Sequence, residues 1–164
     1  MEYRKALWLA TLLLVVHNVE EFMTMPPFIS RHGQDLPTLI RKATAMSSEQ
    51  FSVALIIVTL FAFLFTFWGS NSEANGTGMF LAITTQIILL INAVQHIIAS
   101  IWLGIYTPGV LTAIILYLPL LSYLILRALK EGYISKKLII YSFILGTFML
   151  LPIILLAKTI ASIL

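Results

Sequence analysis

Residues Ala6 to Met23 read ALWLATLLLVVHNVEEFM. The first eleven positions hold only apolar residues and Thr11, and the last seven add His17, Asn18, Glu20 and Glu21. An apolar run of this length crosses a hydrocarbon core about 30 Å thick as a helix rising about 1.5 Å per residue. Four further runs repeat the pattern, at Phe51–Gly69, Met79–Gly104, Val110–Arg127 and Leu138–Ala157. A lone strand would leave its backbone groups unpaired in lipid, so each run predicts a helix. The expected fold is an all-α polytopic membrane protein, a bundle of five transmembrane helices in one domain spanning residues 1–164.

Composition agrees with that fold. Of 164 residues, 60% are hydrophobic and 10% charged, against about 45–50% and 25% in soluble domains. The excess is more apolar surface than a water-soluble domain of this size can bury. Lys and Arg gather in the connections and form no basic patch interleaved with aromatics, which excludes a nucleic-acid partner and makes membrane lipids the expected surroundings. Without cysteine there are no disulfides and no thiolate ligands, so any metal must be held by nitrogen and oxygen. Arg4 and Lys5 before an apolar stretch resemble a secretory signal, but no small-residue cleavage pattern follows, and the segment is read as a retained first helix.

The connections carry ordinary punctuation. Pro26-Pro27 is expected to end the first helix, 71–78 and Thr107-Pro108-Gly109 to form turns, and Pro119 and Pro152 to kink later helices. In the long connection, Leu39, Ile40, Ala43 and Met46 share a stripe beside Arg41 and Lys42, the pattern of a short interfacial helix. Trp8, Trp68 and Trp102 read as interface anchors, Tyr117, Tyr123 and Tyr141 as packing or interface residues, and His32 as solvated. Five helices place Arg4, Lys5, Arg127, Lys130, Lys136 and Lys137 on one side and Arg31, Arg41, Lys42 and Lys158 on the other, which predicts a cytoplasmic amino terminus.

Against this apolar background the polar residues form a constellation. At about 100° per residue, Glu21 lies about 40° to one side of His17 and Glu20 about 60° to the other, so the three share a helix face. Asn92 and His96 stand one turn apart on the third helix, which runs parallel to the first and reaches a similar depth. Tyr106 and Arg41 emerge on the same side of the membrane. An ionised residue at a helix centre costs about 2.5–3.5 kcal/mol on insertion scales, so adjacent carboxylates there call for a cation or a shared proton.

These residues, His17-x-x-Glu20-Glu21, Asn92-x-x-x-His96, Tyr106-x-Pro108-Gly109 and a lone arginine between, resemble the HXXEE domain family of prokaryotic membrane proteins over nearly the whole chain. The resemblance implies a multi-pass protein of the prokaryotic cytoplasmic membrane, of unknown function, with an enzymatic role suspected from its polar motifs. It leaves open whether Arg31 or Arg41 is the arginine concerned.

Three functions fit. In a metal-dependent hydrolase of a lipid or peptide, His17, Glu21 and His96 would hold zinc or iron, leaving a position for water. Glu20 would act as general base, and Asn92, Tyr106 or Arg41 would steady a hydrophobic or amphipathic substrate. In a metal-free enzyme, Glu20 and Glu21 would divide acid and base roles on a sterol- or isoprenoid-like lipid. In a transporter or small-ligand binder, the same groups would relay protons or ions. The plainer alternative, polar glue between helices, accounts for one His or Asn more readily than for the full set.

Overall fold

The computed structural model describes residues 2–38, 41 and 45–163, the side chain of Leu150 excepted. Among these residues there are helices and no strands. We number the helices α1 (Tyr3–His32), α2 (Ser48–Ser70), α3 (Thr77–Leu103), α4 (Val110–Lys130) and α5 (Lys136–Ala161). The first four are long and apolar enough to cross a membrane unbroken, and α5, bent by 44° between Met149 and Leu151, makes a fifth span if its two halves are one. The chain is a multi-pass helical membrane protein. The expected interfacial stripe rests on Leu39, Ile40, Lys42 and Ala43, which lie outside the described residues.

One boundary differs from expectation. Pro26-Pro27 does not end α1, which continues to His32 and closes with Gly33 N–H donating to Ile29 O at 2.9 Å. Each proline removes one backbone donor, but its φ is already helical, so the helix carries on past the two missing bonds. His32, expected to be solvated, is the last residue of α1, with Nδ1 3.7 Å from Asp35. At about 1.5 Å per residue α1 is about 45 Å long, so its last turns extend beyond a hydrocarbon core of about 30 Å. The other prolines sit where the later helices depart from regularity: Pro152 follows the bend in α5, and Pro119 follows a π-turn at Ala113–Tyr117 within α4.

The packing follows from the apolar faces. α1 lies against α2 and α4, while α3 lies against α2, α4 and α5. The core is built of side chains such as Leu7, Leu14, Met79, Ile83, Ile87, Leu121 and Leu124. Hydroxyl and amide groups stitch the helices: Thr11 to Thr66 at 2.7 Å, Asn18 Nδ2 donating to Thr59 Oγ1 at 2.7 Å, and Thr84 donating to Ser142 at 2.9 Å. Such bonds between spanning helices are each worth about 0.6–2 kcal/mol. At the end where α1 begins, Tyr3 stacks on Tyr133, and Asn75 N–H donates to Tyr133 O, tying two connections together. The opposite end is closed by the turn between α3 and α4, which brings the polar residues under one roof.

Candidate metal centre

His17 and Glu21 project from consecutive turns of α1 toward α3, and His96 projects from α3 to meet them. Glu21 Oε1 lies 3.8 Å from His17 Nε2 and 3.2 Å from His96 Nε2. One ligand-type atom from each of the three residues falls within 4.8 Å of the others. Their side chains are 1%, 12% and 15% exposed for His17, Glu21 and His96. Counting from Tyr3, His17 stands about 21 Å along α1, well inside the membrane thickness.

Surrounding groups fix the two imidazoles. Thr112 Oγ1, with a single hydrogen to donate, lies 2.7 Å from His17 Nδ1 and 3.2 Å from Gly109 O. With that hydrogen on Gly109 O the threonine oxygen accepts from His17 Nδ1–H and Nε2 carries a lone pair; with it on Nδ1 the ring hydrogen sits on Nε2. Asn92 Nδ2 bridges the rings, 3.4 Å from His17 Nε2 and 3.1 Å from His96 Nε2. Tyr117 covers one face of His17, with centroids 4.8 Å apart and planes inclined by 25°.

Gly109 lies against both rings. Its φ of +82° belongs to the left-handed region, and a Cβ there would fall 2.7 Å from His17 Cε1 and 3.0 Å from His96 Cε1. The neighbouring Thr107 donates to His96 O at 3.1 Å, so the turn between α3 and α4 roofs the centre.

Glu20 faces elsewhere. Its Oε1 accepts from Tyr106 at 2.5 Å and from Leu111 N–H at 3.1 Å, and its Oε2 accepts from Thr112 N–H at 2.8 Å. A carboxylate on α1 thus satisfies the unpaired amides at the start of α4, where the helix dipole favours negative charge. Partial burial and the Glu20 bond raise the Tyr106 hydroxyl above its ordinary pKa, so it stays a donor through neutral pH.

The constellation expected from sequence is therefore divided. His17, Glu21, Asn92 and His96 meet at one centre. Glu20 and Tyr106 form an adjoining lock between α1 and α4, with both Glu20 oxygens accepting hydrogen bonds. Arg41 is exposed and donates to Gln34 Oε1 at 3.2 Å within the connection. Sequence reasoning missed Thr112 and took Tyr117 for a packing or interface residue. Thr112 is a threonine in the first turn after a Pro-Gly pair, a weak signal, and Tyr117 reaches His17 only because of the π-turn.

A family model described as a protein of unknown function with HXXEE motif matches residues 8–124, which includes every residue of the centre. An uncharacterized protein of Bacillus subtilis (strain 168), YrkK, is 28% identical over 147 residues, covering 88% of this chain and 89% of YrkK. No solved structure matches the chain. The chain belongs to the HXXEE family, and the run His17-Asn18-Val19-Glu20-Glu21 carries its motif.

Proposed function

We propose that the protein is an intramembrane metal-dependent hydrolase, with a divalent cation held by His17, Glu21 and His96. The observation that carries this reading is the convergence of one donor atom from each residue within 4.8 Å. Acceptors brought together out of water repel one another unless a cation or a proton lies between them. Two imidazoles and a carboxylate suit zinc or iron(II) and leave a coordination position free.

A cation bound there supplies Lewis acidity, polarising a carbonyl and making a water acidic near neutral pH. The chain's own residues do the rest. Thr112 and Tyr117 hold His17 in one orientation, and Asn92 holds His96 beside it. Glu21 directs one oxygen to the imidazoles, and its second oxygen would be the acceptor for the proton of an attacking water. Glu20, its oxygens occupied by α4 and Tyr106, positions the roof instead of serving as base. The exposed apolar residues Val16, Val19 and Leu111 flank these groups and would face lipid, which favours a hydrophobic or amphipathic ester or amide as substrate. Six basic residues at the end of the bundle where α1 begins, against four at the other, support a cytoplasmic amino terminus with the centre toward the opposite leaflet.

The 3.2 Å approach of Glu21 to His96 also suits a shared proton, and hence a metal-free acid–base enzyme acting on a lipid. Proteoliposomes containing the purified protein, a phospholipid with a fluorescent acyl ester and a quenched hydrophobic peptide separate the readings. A hydrolase releases fluorophore from one of the probes, loses that activity with 1,10-phenanthroline or His96→Ala, and regains it in the wild type when zinc or iron(II) is returned. Release indifferent to chelator and to His96→Ala, or no release from either probe, contradicts the proposal.

A further inference from the structure

Tyr117 is fully buried, at 0% exposure, yet its hydroxyl has no hydrogen-bond partner among the described residues. A buried hydroxyl left unpaired costs about 1–3 kcal/mol, and in native proteins such groups find protein, water or ligand. Packing alone does not ask for the oxygen. The chain uses phenylalanine at ten positions, and phenylalanine would stack on His17 equally well.

The backbone is also altered to put this ring where it is. Thr112 and Tyr117 are five residues apart, which on a regular α-helix separates them by about 140°, too far for both to serve one imidazole. The π-turn at Ala113–Tyr117, closed by Leu118 N–H donating to Ala113 O, absorbs the extra residue. Thr112 then meets His17 Nδ1 at its edge while Tyr117 covers its face. Pro119 permits the widening, because it has no N–H to give to the carbonyl four residues back. Wide turns of this kind inside α-helices recur at functional sites. Glu21 Oε1 approaches the same imidazole from the neighbouring turn, 3.8 Å from His17 Nε2.

We propose that the Tyr117 hydroxyl is a substrate-contacting group of this centre, donating a hydrogen bond to the oxygen atom at the position left free by His17, Glu21 and His96. That atom is a water oxygen at rest and the carbonyl oxygen of an ester or amide during reaction. The proposal rests on the metal reading above and adds the donor that would stabilise charge developing on that oxygen.

Tyr117→Phe tests it, because the ring and its stack are kept. Full-length wild type and variant in detergent are loaded with cobalt(II), whose visible absorption reports the ligand set, and titrated with acetohydroxamic acid as an oxygen-donor probe. Both proteins are expected to bind cobalt with affinities within about twofold, while the variant binds the probe about tenfold more weakly, the loss of one hydrogen bond of ordinary strength. Equal probe affinity overturns the proposal. If neither protein gives a cobalt spectrum, the metal reading fails separately, and thermal unfolding in chelator decides the hydroxyl. A midpoint lowered in Tyr117→Phe shows that the hydroxyl has a partner in the centre, and an unchanged or raised midpoint, as expected for an idle buried hydroxyl, overturns the inference.

Discussion

His17 Nδ1 lies 2.7 Å from Thr112 Oγ1, so Nε2 is the ring nitrogen that faces Glu21 and Asn92. The bond links α1 to the first turn of α4. Histidines that hold metals generally give their other N–H to such a partner, and losing it costs about 10–100-fold in metal affinity.

Thr112→Val keeps the shape and removes the hydroxyl. We expect zinc affinity, measured by competition with a chromophoric chelator, to fall by about 10–100-fold with helical content unchanged. Affinity equal to wild type would remove Thr112 from the centre.

Gly109→Ala places a methyl 2.7 Å from His17 Cε1 and 3.0 Å from His96 Cε1, at a φ of +82°. The strain of the left-handed backbone is about 1–2 kcal/mol, before the rings are displaced. The variant is expected to unfold at lower temperature and to bind metal more weakly, and the two effects are read by thermal unfolding and by chelator competition. A variant with wild-type values in both would show that the turn is not pressed against the rings.

Glu20→Gln removes a charge and turns an amide hydrogen toward donors that now point at a carboxylate. Leaving one of those amides unpaired costs about 1–3 kcal/mol. Hydrogen exchange at Leu111 and Thr112 is expected to speed up in the variant while metal binding survives. Loss of metal with exchange unchanged would mean that Glu20, rather than Glu21, belongs to the centre.

The fold was legible because lipid imposes length and apolarity on every span, and the expected runs at Phe51–Gly69 and Met79–Gly104 lie within α2 and α3 to a few residues. Pro26-Pro27 misled because proline's local effect is read from sequence, whereas helix continuation depends on the donors that remain beyond it. The meeting of His17, Glu21, Asn92 and His96 was legible from 3.6-residue periodicity and from matching depths on parallel helices. The separate destination of Glu20 was not: its 60° offset from His17 suffices to reach α4, and no spacing within α1 states where the start of α4 lies. Tyr117 was hidden for a similar reason, since a regular helix turns it away from the face that Thr112 occupies.

The most direct test is the metal content and ligand set of the purified protein, measured by elemental analysis and X-ray absorption on wild type, His17→Ala, Glu21→Gln and His96→Ala. About one zinc or iron per wild-type chain is expected, coordinated by two imidazoles and oxygen, with loss of most of the metal in each variant that remains helical. Wild-type protein that is folded and takes up no divalent metal when one is supplied would contradict the metal reading.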